Sequence, residues 1–285
     1  MLIIGERLSI IAKRVREAML KRDKLPIQEI ARMQWQEGAL MIDANIGPAE
    51  DNGEDLMQWM VTTIQEAVPL PVCLDTTNSN AIEAGLRVHN NDFGRPIINS
   101  TSNDPDRFPM LELAVRYNAQ IIGLTVGKGG IPADAEERAI IASEIMARAM
   151  EYGLPLDDLY LDPLVLQIST SQDHAMKVID TIRLFQEMND PPMKTVVGLS
   201  NISNGCPKGI RPIINQCYFI MLMNAGLTAA IANPNETTEA ISKKWIFDDI
   251  INGKLIEDRE LMKRISKTID VIMGKTLYAH SYLEM

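Results

Sequence analysis

Short apolar runs of strand length alternate along this chain with longer segments whose apolar residues recur at helical spacing. The strand-like runs fall at 2–5, 40–42, 72–74, 96–98, 121–125, 159–161, 195–199 and 229–231. Between them, segment 27–38 sets Ile27, Ile30, Ala31 and Trp35 on one side, and 54–67 does the same with Leu56, Met60, Ile64 and Ala67. Further helices are expected over 80–88, 105–117, 133–152, 172–188 and 212–225, with Asn235 able to cap another from Glu236 onward. Asp104-Pro105 marks a helix start, because Asp caps and Pro fits the first turn, and Gly153 marks a helix stop. About eight strands with helices between them predict right-handed crossovers, a parallel sheet and an α/β fold of the (β/α)8 TIM-barrel type. An open doubly wound sheet is the main rival. It would need a GxGxxG or a Walker lysine loop; neither occurs, and Lys128-Gly129-Gly130 reads as a short turn.

The tail from about 237 to 285 exceeds what one barrel helix requires, so extra C-terminal helices are expected. Ile241, Trp245, Ile246, Ile250 and Ile251 make one apolar face, and Leu261, Ile265, Ile269 and Ile272 make a second. Two such helices can close the bottom of the barrel or pack in a dimer. With no linker, repeat or low-complexity stretch, residues 1–285 read as a single domain.

Several strand-like runs end on a carboxylate or an amide: Glu6, Asp43, Asn45, Asp75, Asn99, Asp162, Asn201 and Asn233. In a barrel the C-terminal strand ends meet at one mouth, so a polar set there reads as a site and the apolar strand bodies as core. Asp75 and Asp162, on the third and sixth strands, would face each other across that mouth. Each also has a local alternative: Asp75 as a cap for Thr76-Thr77-Asn78, and Asp162 as a turn former before Pro163. A carboxylate accepts hydrogen bonds in pairs, which suits an amidine-like edge such as that of a pterin or guanine. Asn99 offers a donor and an acceptor for a mixed edge, whereas Ser100 and Thr101 read as ordinary loop hydroxyls. Gly198 removes a side chain from the wall and lets a ring approach, while Ser200 and Asn201 turn toward the mouth; an Asx turn is the alternative for Asn201.

Composition narrows the chemistry. A net charge of −10 disfavours a nucleic-acid partner. No apolar window is long enough for a membrane span, and no secretory leader precedes the first strand, so a cytoplasmic location is expected. The three cysteines, Cys73, Cys206 and Cys217, have no CxxC spacing and fit a reducing compartment. His89, His174 and His280 have no metal-ligand spacing and only His174 falls near the mouth, so no bound metal is expected.

The runs LIIGERLS, MIDANIGP, CLDTTN, INSTSN, IGLTVGKGGIP, LYLDPLV, QDHA and VVGLSNIS resemble the pterin-binding methyltransferases, in particular the methyltetrahydrofolate–corrinoid protein methyltransferases. The folate module of cobalamin-dependent methionine synthase and, more distantly, dihydropteroate synthase are similar too. The resemblance runs from Met1 to about Asn233 and does not extend to the tail. It implies a barrel, usually a homodimer, that binds tetrahydrofolate or methyltetrahydrofolate at its mouth. It also implies exchange of a methyl group between folate N5 and the cobalt of a corrinoid (a cobalamin) carried by a partner protein. In this reading Asp75, Asn99 and Asp162 hold the pterin, Gly198 and Ser200 line its wall, and Asn201 reaches toward N5. Arg211 touches the folate, and water near Asp75 or bulk solvent supplies the proton. The segment ISNGCPKGI before Arg211 departs from the pattern and points to a particular corrinoid partner. The DxHxxG pattern of cobalamin-carrying domains is absent from the chain, so the corrinoid is expected on another protein.

Two physiological settings fit: an O-demethylase-type system that forms methyltetrahydrofolate, or a corrinoid iron–sulfur protein system that consumes it. Two other functions share the pterin residues. One is a dihydropteroate synthase-like condensation, and the other is a non-catalytic protein that binds reduced folate.

Overall fold

The computed structural model describes residues 1–127, 129–242 and 258–284. Eight parallel strands close on themselves in chain order, β1 pairing with both β2 and β8. They are β1 (Leu2–Gly5), β2 (Met41–Asn45), β3 (Val72–Asp75), β4 (Ile97–Ser102), β5 (Gln120–Leu124), β6 (Leu159–Asp162), β7 (Lys194–Gly198) and β8 (Ala229–Ala232). The expected TIM barrel is therefore what the chain forms.

Helices α1 (Lys13–Lys21) and α2 (Lys24–Gln36) follow β1, and α3 (Gly53–Gln65), α4 (Ser79–Val88), α5 (Pro109–Arg116), α6 (Ala135–Glu151), α7 (His174–Glu187), α8 (Arg211–Ala225) and α9 (Pro234–Ser242) follow the other strands in turn. Sequence periodicity gave no expectation of α1. The helix expected over 105–117 divides into a short 3-10 turn, Pro105–Arg107, and α5. Pro109 causes the division, since it has no N–H to continue the ladder but fits a first helical turn. Asp134 starts α6: its Oδ1 accepts from Glu137 N at 2.9 Å, while Glu137 Oε2 accepts from Ala133 N at 2.8 Å.

One large apolar cluster lies under α1 to α6, and a second lies under α7 and α8. Helix α8 is buried over most of its circumference, including Ile214, Cys217, Tyr218, Phe219 and Leu222. A helix apolar all round needs cover on both sides. The C-terminal helix Arg259–Ile272 supplies the outer cover with Ile265, Ile269, Val271 and Ile272. The second apolar face read in the tail is thus a packing face. It does not close the bottom of the barrel: Gln172, just before α7 on the mouth side, donates from Nε2 to Val271 O and Thr276 O, both at 2.7 Å, and accepts from Tyr278 N at 2.9 Å. Most of the first apolar face, Trp245, Ile246, Ile250 and Ile251, lies outside the described residues.

Candidate active site

Side chains two apart on a strand share a face, and that rule builds the site. The barrel interior is filled by Ile4, Met41, Cys73, Ile97, Ile122, Tyr160, Val196 and Ala229, one from each strand. Two residues further along each strand stand Glu6, Asp43, Asp75, Asn99, Leu124, Asp162, Gly198 and Ile231. All eight line one cavity of about 850 Å3 at the C-terminal mouth. Four consecutive strands, β1 to β4, thus present three carboxyls and an amide. Across from them, Leu124 and Ile231 flank Asp162 and the gap left by Gly198. Ser200, Asn201 and Arg211 complete the wall, so Asp75, Asn99, Asp162, Gly198, Ser200, Asn201 and Arg211 all border this one cavity, whereas Asn233 of the strand-end set does not. Ser100 and Thr101 do not line it; Thr101 Oγ1 donates to Arg107 O at 3.0 Å.

Asp75 is not a helix cap. Asn78 caps α4, its Oδ1 accepting from Asn80 N at 3.0 Å and Ala81 N at 3.2 Å. Asp75 Oδ2 instead accepts a short hydrogen bond from Asn45 Nδ2, and burial raises its pKa to about 6 against the opposing pull of Asn45 and Arg107. Asp162 does form a local turn: its Oδ1 accepts from Leu164 N at 2.8 Å. Oδ2 has no protein partner among the described residues, and burial raises the carboxyl to about 7. Asn201 is not in an Asx turn. Its Oδ1 accepts from Asn204 Nδ2 at 3.3 Å, which leaves Nδ2 as a donor on the cavity side. A Cβ built on Gly198 would come within 3.0 Å of Asn201 Nδ2, so the glycine makes room for this amide. Arg211 is anchored by one bond, Nε to Cys206 O at 2.8 Å.

Glu6 and Asp43 were visible in the sequence as strand-end carboxylates but received no role. Their signal was the two-residue offset from Ile4 and Met41. Glu6 Oε1 accepts from Ser200 Oγ at 2.5 Å, and burial lifts its pKa to about 7 with help from the Glu236 charge. Asp43 is buried, its Oδ1 has no hydrogen-bond partner among the described residues, and burial together with the Asp75 charge raises its pKa well above the ordinary value. Two neighbouring buried carboxyls in low dielectric do not both ionise readily.

None of the three histidines borders the cavity. Among the described residues no group of three or more His, Cys, Asp or Glu side chains has the arrangement to hold a metal ion, and no helix is long and apolar enough to cross a membrane. The cavity offers clustered carboxyls beside amide, hydroxyl and guanidinium donors, a mixed lining suited to a flat ligand edged with both N–H groups and acceptors.

Comparison with known proteins agrees with this chemistry. Residues 13–233 match the family described as pterin binding enzyme. The methylcorrinoid:tetrahydrofolate methyltransferase of Eubacterium limosum is 27% identical over 239 residues, covering 82% of this chain and 85% of the relative. The methionine synthases of Mycobacterium leprae and Mycobacterium tuberculosis are each 28% identical over 82% of this chain, which spans only 20% of their length. The matched region holds every strand from β2 to β8 and all of the polar mouth except the residues of β1 and its loop, and on that ground the chain belongs to the pterin-binding enzyme family.

Proposed function

We propose that the protein is a methyltransferase that moves a methyl group between N5 of tetrahydrofolate and the cobalt of a corrinoid carried on a separate protein. The observation that carries this reading is the gathering of Asp75, Asn99, Asp162 and Asn201 around one cavity. The names of the relatives, which join tetrahydrofolate, a methylcorrinoid and methionine synthesis, support it.

The residues fit a pterin. Its amino-pyrimidine edge presents parallel N–H donors, and the mouth supplies Asp75 and the free Oδ2 of Asp162 as acceptors. Asn99 takes the mixed amide edge. Gly198 and Ser200 form the wall against the ring, and Arg211 reaches the arm that leaves the mouth. The corrinoid supplies a metal centre able to give or take the methyl group. In the direction of methyl loss Asn201 Nδ2 donates to N5, and this bond strengthens as electron density builds there, so it stabilises the transition state shared by both directions more than the methylated folate. Methyl gain from the methylcorrinoid releases the N5 proton to water beside Asp75, and methyl loss returns it. The cavity stays open past Ile11, an isoleucine 83% exposed at its rim, which leaves a face for a docking partner. A homodimer belongs to the same proposal.

The methyl flow we propose runs from methylcorrinoid to tetrahydrofolate, the direction in the name of the Eubacterium relative, as in an O-demethylase-type system. Mixing the protein with methylcob(III)alamin and tetrahydrofolate, and separately with cob(I)alamin and methyltetrahydrofolate, tests it through the cobalt absorption bands. A spectral change that depends on the protein is expected in both mixtures. Tight folate binding with no spectral change would leave a reduced-folate-binding protein instead. Product from para-aminobenzoate and a pterin pyrophosphate would point to the condensation reaction.

A further inference from the structure

Arg138 in α6 has no accessible surface at all, yet among the described residues no carboxylate forms an ion pair with it. Its Nε donates to Pro163 O at 2.8 Å, Nη1 donates to Asp134 O at 3.2 Å, and Nη2 lies 3.1 Å from His174 Nδ1. Arginine carries only donors, so His174 must accept through an unprotonated Nδ1. A buried guanidinium satisfied by two carbonyls and an imidazole is a costly arrangement to keep.

What the arrangement fixes is one peptide group. Pro163 C=O and Leu164 N–H belong to the same planar amide. Arg138 holds its oxygen, and Asp162 Oδ1 holds its hydrogen at 2.8 Å. Leu164 sits at φ 65°, a left-handed conformation that a leucine adopts only under outside constraint. Behind the carboxyl, the Asp162 carbonyl accepts from Thr125 N at 3.0 Å and Thr125 Oγ1 at 2.9 Å. Main chain and Oδ1 are thereby both tied, and only Oδ2 remains for a ligand.

We infer that Arg138, seated by His174, is a positioning residue that aims the Asp162 carboxylate at the pterin through the Pro163–Leu164 peptide group. Its chain of contact runs from His174 Nδ1 through the guanidinium and across one amide to Asp162 Oδ1. This inference rests on the reading of Asp162 as a pterin-binding group.

Calorimetry with methyltetrahydrofolate and turnover with cob(I)alamin test it together. Arg138→Met is expected to raise Kd and KM about tenfold, the lower end of what is lost when the group orienting a ligating side chain is removed. Its kcat at saturating folate is expected to stay unchanged, because Asn201 is untouched. His174→Asn should restore near-normal affinity, since its Oδ1 can take the place of Nδ1, whereas His174→Phe should behave like Arg138→Met. If Arg138→Met does not fold, the two His174 variants carry the comparison. The deciding measurement is a double-mutant cycle with Asp162→Ala. Arg138→Met should add nothing to the weakened affinity of Asp162→Ala. Additive losses, or equal affinities for the two His174 variants, would overturn the inference and leave the reading of the site intact. Undiminished folate binding by Asp162→Ala alone would overturn the site reading and the inference with it.

Discussion

In the proposed function a single amide, Asn201, carries the chemical step. Asn201→Ala should slow methyl transfer by roughly 10²–10³, as loss of one transition-state hydrogen bond typically does, while Kd for methyltetrahydrofolate changes much less. Single-turnover absorbance against calorimetry separates the two, and an unchanged rate would remove Asn201 from the mechanism. The carboxyls make a second prediction. In the free cavity Asp75 holds its proton to about pH 6 and Asp162 to about pH 7, and a pterin edge of N–H donors needs both ionised. Folate binding near pH 6.5 should therefore release protons. Titrations in buffers of different ionisation enthalpy should show that release fading by pH 8, and affinity should rise between pH 5.5 and 8. At this scale the sequence was informative wherever a strand ended: Asp75, Asn99, Asp162 and Asn201 were all legible because the mouth position follows directly from strand register. Glu6 and Asp43 were seen but not assigned. The Asn45 bond to Asp75 and the burial that raises the Asp43 pKa arise from side chains on adjacent strands, which no local pattern encodes. Arg138 was hidden for a similar reason. A lone arginine among Glu136 and Glu137 looks like solvated surface until α6 and α7 are placed side by side.

Elements transmit these placements. Strand β7 ends on Gly198 because the amide of Asn201 occupies the space a Cβ would need, 3.0 Å away. Gly198→Ala should lower kcat about tenfold by displacing that amide, given that a shift of the order of 1 Å costs up to about 10². Its folate Kd should stay close to the parent value, and an unaltered kcat would deny the glycine this role. The tail offers a separate test. Gln172 makes three hydrogen bonds to the end of the C-terminal helix and the stretch after it, so Gln172→Ala should lower stability by about 1–3 kcal/mol, read as a fall in Tm. Helix α8 explains why the tail is where it is, since its own sequence from Arg211 to Ala225 leaves almost no polar face. That need was legible from α8. The identity of the covering segment was not, because Leu261, Ile265, Ile269 and Ile272 fit several partners equally well in a linear pattern. Boundaries were least legible: in α1 Val15, Ala18 and Met19 keep helical spacing but in a short run dominated by charged residues, and Pro109 resets a helix that periodicity alone would continue.

For the molecule as a whole, binding and folding pull in opposite directions. Glu6, Asp75 and Asp162 each lose their protons at higher pH in the folded state than in the unfolded chain. Folded protein then binds more protons than unfolded protein between about pH 4 and 7, so their contribution to stability is fully present below that window and is lost as pH rises through it. Tm of the ligand-free protein is expected to fall by several degrees from pH 5.5 to pH 8. Methyltetrahydrofolate should recover most of the difference at pH 8 by supplying donors to the ionised carboxyls. A scan with no such pH trend would mean that the mouth is better solvated than its burial implies. The barrel itself was the most legible feature, because the eight apolar runs and the helices between them admit few other topologies.

The bond between Glu6 and Ser200 spans 194 positions of the chain, across the seam where β1 meets β8. During synthesis the first of these residues leaves the ribosome long before the second. Until β8 has also emerged, β1 and β7 remain bare sheet edges and the pocket has no closed wall. Nascent chains that stop short of residue 229 therefore have nowhere to seat a folate. The cell can gain a working copy only near the end of translation, and a ligand can reward only chains that have completed the ring.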